Sequence, residues 1–411
     1  MAENNEKIFR EFTQELINWG KNGEVPDIAS LDLKYAMDLQ QKRLKANGVT
    51  VDYKFKSRGE WLDNVHSFGG RQDSGNFKSV TSDSHFKLTK TFYKNGRKSQ
   101  KRKKNSVFYT MITTLLNQDA DATCCCPNCG AISSIKELLG GCPHCKTRFI
   151  MNDLYPKVTN FYFVDDYAEN NSSMRNRILP WVLIPAAALA VYFGFVNYES
   201  LEIVAYIISL IAAAIGGAIG GYMLWAFLFL AKLIVKSFAS IPSMGKVIAV
   251  KRNLPKYMKQ IDSNFSYEYF IGKVFALVKM MVFSDDYTNL AVYEGKPMQN
   301  PFKDIVDIEF TGIIRLNSFN INGSYCYVDM NFHTVDFVAR NGSVRKKNDV
   351  FHIKVCRNIH TLQNPNFSLK RVECKSCGAS FDATRERNCP YCSNSYHLGD
   401  DDWVVLEFGK A

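Results

Sequence analysis

The sequence predicts an α+β chain: a helix-backed, curved antiparallel sheet that shares the molecule with a helical hairpin and two small cysteine-rich ribbons. Three observations predict it. Two long stretches carry no charged residue, one from Ile178 to Tyr198 and one from Ile203 to Ala231. Eight of the 12 cysteines fall into CxxC pairs. Beyond the second apolar stretch, a segment with helical spacing gives way to segments in which apolar and polar residues alternate.

The 411 residues suit two or three domains. The composition shifts place an N-terminal region over 1–122, a first ribbon over 123–150 and a linker over 151–177. An apolar hairpin over 178–236 and a basic linker over 237–261 follow. The helix-and-sheet domain occupies 262–372, and the second ribbon with a closing strand occupies 373–411. Lys and Arg number 51 against 40 Asp and Glu, a net charge of +11 that suits a surface facing anionic lipid or RNA.

The chain opens MAENNEKIFREFTQEL, charged and amphipathic, without the apolar core and small-residue cleavage site of a signal peptide. The N-terminal half is therefore expected to stay unexported. There, paired cysteines favour metal over disulfides. Twelve residues separate Cys126 and Cys129 from Cys142 and Cys145, and eleven separate Cys374 and Cys377 from Cys389 and Cys392. Each CxxC turn presents two thiolates on one knuckle, and two knuckles close a tetrahedron with no open position. That is the pattern of structural zinc, and two ions per chain are expected. Gly130, Gly140, Gly141 and Gly378 suit the turns. Cys124, Cys125, His144 and His397 are expected to be bystanders, and Cys326 and Cys356 small residues on strands.

The uncharged stretches read as membrane-spanning helices, which excludes an ordinary soluble enzyme. Arg175 and Arg177 precede the first; Lys232, Lys236, Lys246, Lys251 and Arg252 follow the second; Glu199 and Glu202 lie between. Positive flanks stay inside, so both outer flanks are expected in the cytosol and the loop around Glu199 outside. Taken as one helix, 201–235 would be about 52 Å long. Gly216, Gly217, Gly220 and Gly221 could divide it, but three spans would strand one ribbon outside, so two are expected. The glycines form two small-xxx-small pairs, which either seat the second helix on the first or build a homodimer seam.

In the C-terminal domain, Ser266 is placed to cap a helix, with Phe265 and Phe270 as its staple. Phe270, Val274, Leu277 and Met281 recur at helical spacing. Val306, Ile308 and Phe310 alternate, as do Cys326, Val328, Met330 and Phe332, then Phe351, Ile353 and Val355. Asn322-Gly323 and Asn341-Gly342 supply hairpin turns. The segments NFSYEYFIGKVFALVKMMVFSDD, DIVDIEFTGI, FHIKVCRN and DDWVVLEF, with the second ribbon, resemble bacterial membrane-anchored proteins that carry a Tim-forty-four-like domain. The resemblance covers Asp262 to Ala411 and a stretch from Asn152. It implies a cone like that of nuclear transport factor two, membrane attachment, and protein or lipid binding, with no catalytic residues. The cone's apolar cavity would be lined by Phe270, Val274, Phe310 and Val328.

The N-terminal half echoes the C-terminal half. Phe92-Tyr-Lys-Asn-Gly96, Lys103-Lys-Asn-Ser-Val-Phe108 and CPNCGA recur in order as Phe337-Val-Ala-Arg-Asn-Gly342, Lys346-Lys-Asn-Asp-Val-Phe351 and CKSCGA. A degenerate first copy of the sheet-and-ribbon unit is the expectation. The chain has no GxGxxG after a strand, no GxxxxGK[ST], no HExxH and no GxSxG, so no enzymatic activity is expected. Asp165-Asp166 and Asp285-Asp286 are expected to cap helices or face water. The leading function is a membrane-anchored scaffold that recruits a protein or lipid at the cytosolic face. The dense basic run from Arg97 to Lys104 makes nucleic-acid binding the alternative, with a component of a transport complex behind it.

Overall fold

The computed structural model describes residues 2–59, 63–72, 77–115, 123–126, 129–134, 137, 142–146, 156–166, 171–198, 202–285, 287–288, 290–296, 298–361, 371–382, 386–400 and 402–411. Two compact units emerge. The first joins Met1–Asp166 to Lys246–Ala411, and the second is Tyr167–Gly245. The halves that the sequence treats as separate domains thus lie in one unit.

In the first unit, α1 (Ala2–Asn22) buries Phe9, Phe12, Leu16 and Trp19 on one face, and Ser30 caps α2 (Leu31–Ala46) by accepting from the Leu33 amide at 3.4 Å. The strands β1 (Val49–Lys56), β2 (His66–Gln72), β3 (Phe77–Lys94), β4 (Arg97–Leu115) and β7 (Lys157–Asp165) form an antiparallel sheet in the order β1-β3-β4-β7, with β2 also on β3. Between β4 and β7 lies the short pair β5 (Thr123–Cys125) and β6 (Ile132–Ser134). Phe9 and Phe12 pack on this sheet, with ring centroids 5.3 Å from Phe108 and Phe161 respectively.

The later half repeats that plan. Helix α5 (Tyr267–Phe283) starts at Ser266, which accepts from the Tyr269 amide at 3.4 Å, while Phe265 meets Phe270 at 5.6 Å as the staple requires. Strands β8 (Ile305–Asn322), β9 (Tyr325–Arg340), β10 (Ser343–Asn358) and β13 (Val404–Lys410) pair in the order β8-β9-β10-β13. The pair β11 (Arg371–Glu373) and β12 (Ser380–Asp382) again sits between the third and fourth strands. The β3–β4 and β9–β10 hairpins turn on Asn95-Gly96 and Asn341-Gly342, all four residues at positive φ from 48° to 76°. Three register shifts interrupt the β8–β9 ladder, one of them between Phe310 and Ile314 beside Gly312, and such bulges bend a strand.

The four residues expected to line a cavity, Phe270, Val274, Phe310 and Val328, all lie in one contiguous core and are at most 4% exposed. Phe310 packs between Phe275 and Phe332, 5.4 and 5.5 Å away, so these side chains hold the helix to the sheet.

The second unit contains α3 (Asn171–Asn197) and the apolar part of α4 (Ile203–Met258). Residues Ile178–Asn197 and Ile203–Ala231 are long and apolar enough to cross a membrane. They expose side chains such as Ile184, Phe195, Ile203 and Phe227, each at least 68% open. The glycine rows separate by role. A Cβ on Gly217 would stand 2.5 Å from the Pro185 carbonyl oxygen, and one on Gly221 would collide with the Trp181 carbonyl. At Gly216 and Gly220 it would meet nothing within 4 Å. Gly217 and Gly221 therefore seat α4 on α3, and the other pair faces away. The loop at Glu199 lies outside the described residues.

Candidate metal centres and a buried charge cluster

Each ribbon gathers four thiolates. The sulfurs of Cys126, Cys129, Cys142 and Cys145 lie within 4.8 Å of one another, and so do those of Cys374, Cys377, Cys389 and Cys392. The pairs Cys126–Cys145, Cys129–Cys142, Cys374–Cys392 and Cys377–Cys389 are 3.7, 3.6, 3.5 and 3.7 Å apart. A disulfide would need about 2.05 Å. A tetrahedron of thiolates around an ion at about 2.3 Å has edges of about 3.8 Å, so the donors fit a tetrahedral metal.

The backbone explains how the chain makes the CxxC knuckle four times. In every knuckle the amide four residues after the first cysteine donates to that cysteine's carbonyl: Gly130 to Cys126, Lys146 to Cys142, Gly378 to Cys374 and Ser393 to Cys389, at 2.8–2.9 Å. All four donors hold positive φ, from 59° to 75°. Glycine does so without strain at two of them; Lys146 and Ser393 do so against their Cβ. Gly140 and Gly141 lie outside the described residues. Amides of Cys377 and Ser376 directed at the Cys374 sulfur pull its pKa down to about 6. His144 and His397 are exposed and belong to neither sulfur cluster, and the side chains of Cys124 and Cys125 lie outside the described residues. Cys326 and Cys356 are buried strand residues, and burial raises their thiols to about 11 and about 12.

A second constellation was invisible in the sequence. Lys90 on β3, 2% exposed, donates to Asp307 at 2.7 Å and lies 3.1 Å from Glu309, both on β8. Arg102 and Lys104 on β4 reach Glu309 at 2.7 and 3.0 Å, and Lys104 donates to Asp165 at 2.8 Å. Gln40 of α2 donates to Asp307 at 2.9 Å. Burial alone would raise the Glu309 carboxyl, but Lys90, Lys104 and Arg102 outweigh it and hold the group at about 2. Three cations and one carboxylate of the first sheet thus meet two carboxylates of the second. Arg43 adds to the seam by donating to the carbonyls of Phe302 and Ser284 at 2.7 and 2.9 Å, which places a positive charge at the C-terminus of α5.

One expectation is corrected here. Asp165 and Asp166 do not cap a helix, and both are ion-paired. Asp165 ends β7 in the charge cluster, and Asp166 is paired with Arg58 and, at 2.7 Å, with His85. Along the basic run, alternation on β4 turns Arg102 and Lys104 inward and leaves Lys101 and Lys103 exposed. Asp285 is exposed and 3.8 Å from Arg43; Asp286 lies outside the described residues.

No protein-family model matches the chain. No curated protein matches it either. Among solved structures, the chain is similar to one titled "Ntf2 like protein involved in plasmid conjugation", at 7% identity over 87% of this chain and 92% of that one. The TM-score is 0.15, too low to carry an argument about fold or function.

Proposed function

We propose that the chain is a membrane-anchored scaffold that recruits a protein or lipid partner at the cytosolic face. Its two four-cysteine sites hold structural zinc. The observation that carries this reading is the contrast between units: Ile178–Asn197 of α3 and Ile203–Ala231 of α4 leave many large apolar side chains open, whereas the first unit buries its own and pairs its buried charges. Zinc is supported by the all-thiolate donor set and by sulfur spacings that match its tetrahedron. A Tim-forty-four-like, nuclear-transport-factor-two-like cone over 262–372 is supported by the helix-backed sheet and by the bulged β8. Two copies of one sheet-and-ribbon plan are supported by the matching strand orders. Both termini are cytosolic and the loop at position 199 external. An impermeant thiol reagent should therefore reach a cysteine placed at 199 and spare one at 263. Purification from detergent extract, with and without nuclease treatment, tests the scaffold. A discrete partner at fixed stoichiometry is expected, and co-purifying nucleic acid in place of protein would favour the alternative.

A further inference from the structure

The register of the first sheet assembles a surface that no single sequence segment reveals. Across β1, β3 and β4, Lys56 stands beside Lys87 and Asn105, Lys54 beside Thr89 and Lys103, and Asp52 beside Thr91 and Lys101. The next row pairs Tyr93 with Lys98. Side chains at alternate positions share a face, so Lys54, Lys56, Lys87, Lys98, Lys101 and Lys103 project from one side of three adjacent strands. All six are exposed. The opposite face is the buried one, with Leu88, Lys90 and Phe92. The platform's carboxylate, Asp52, is 3.6 Å from Lys54. Among the described residues the other five lysines have no ion pair. The inward half of the basic run neutralises the core, and the outward half is left for an external anion.

We propose that this face binds the anionic phospholipid headgroups of a bilayer. Charge complementarity is the first ground: six exposed ammonium groups and the half-buried Thr89 hydroxyl supply donors beside one already paired acid. The second is the absence, among the platform's described residues, of an exposed aromatic ring. Tyr93 is half-buried, and a single-stranded polynucleotide needs rings on which its bases can stack. The third is that the same chain carries two helices long and apolar enough to cross a membrane, which keeps a bilayer at high effective concentration. The proposal therefore rests on membrane anchoring and is independent of any protein partner.

The test uses the full chain in lipid nanodiscs of phosphatidylcholine alone or mixed with phosphatidylglycerol. Each lysine's rate of acetylation is read by mass spectrometry, with Lys42 and Lys375 as references. In anionic discs the six platform lysines should react about fivefold more slowly, and 1 M salt, where the screening length is about 3 Å, should restore them. The paired change Lys101→Glu and Lys103→Glu should release Lys54 and Lys87 while the references stay unchanged. Equal platform rates in the two lipids, from chain that elutes with both kinds of disc, would overturn the lipid site alone. Slowing by a single-stranded oligonucleotide in neutral discs would reassign it to nucleic acid. Failure to enter either disc would overturn the site and the anchored reading together.

Discussion

The two ribbons have the same cage and different surroundings. Cys374 and Cys389 belong to the core that also contains α5, β8 to β10 and β13, and they sit with Phe381, Leu398 and Trp403. Cys126 and Cys142 form a small cluster of their own, and their neighbour Ile132 is 67% exposed. One ribbon is a keystone and the other a satellite. The knuckle dictates metal geometry; the residues flanking it decide whether losing the metal is felt elsewhere.

The largest expected effect breaks or sustains that contrast directly. Cys389→Ser should remove one metal and destabilise the whole first unit by about 3 kcal/mol or more, because metal binding and packing are coupled there. Cys142→Ser should remove one metal and cost the unit less than about 1 kcal/mol. Elemental analysis with denaturant unfolding checks both, and equal losses would erase the distinction. Next, Glu309→Gln leaves Lys90 and Arg102 without their shared carboxylate, so unfolding should cost about 3–5 kcal/mol less. Because the substitution leaves all eight clustered cysteines in place, metal content should stay at two per chain under native conditions.

A smaller effect carries a pH signature. Lys279 on α5 donates to the Phe161 carbonyl at 3.0 Å, and burial lowers its pKa from 10.5 to about 7. Between those values the unfolded chain holds a proton that the folded chain lacks, so stability falls as pH drops from 10.5 towards 7. Lys279→Met should therefore raise the melting temperature at pH 7, with a gain on the order of 1–3 kcal/mol that fades towards pH 10.5. The smallest effect is the sharpest test of the contrast. Ser393→Gly should relieve a left-handed residue in the keystone ribbon and stabilise the unit by about 0.5–1 kcal/mol. Lys146→Gly relieves the equivalent residue in the satellite, and global unfolding should not register it.

Local features were legible in the sequence and distant pairings were not. The cysteine spacing, the Ser266 cap, the apolar face of α5 and the Asn341-Gly342 turn each depend on residues a few positions apart, and the structure places them as expected; at the other Asn-Gly pair, Asn322 ends β8 opposite Tyr325 and the turn falls on Gly323 and Ser324. Lys90 was overlooked because its partner Asp307 is 217 residues away. Period-two alternation already separates Arg102 and Lys104 from Lys101 and Lys103, but only the neighbouring strand decides which pair is buried. The pairings of Asp165 and Asp166 are hidden from local sequence for the same reason. The strained Lys146 and Ser393 did have a signal. Each occupies, in its own knuckle, the place that Gly130 and Gly378 hold in theirs.

The position of the ribbons in the chain also bears on the order of folding events. In each sheet the fourth strand pairs with the third across a long excursion, 116–156 in one half and 359–403 in the other. Loop closure slows and costs entropy as the excursion lengthens. An ion held between two knuckles cuts the excursion short before the strand arrives, so each ribbon acts as a clasp that brings β7 or β13 within reach. The satellite ribbon, nearly silent at equilibrium, would then leave its mark on the clock: refolding in chelator should delay the docking of β7 even where the final stability is unchanged.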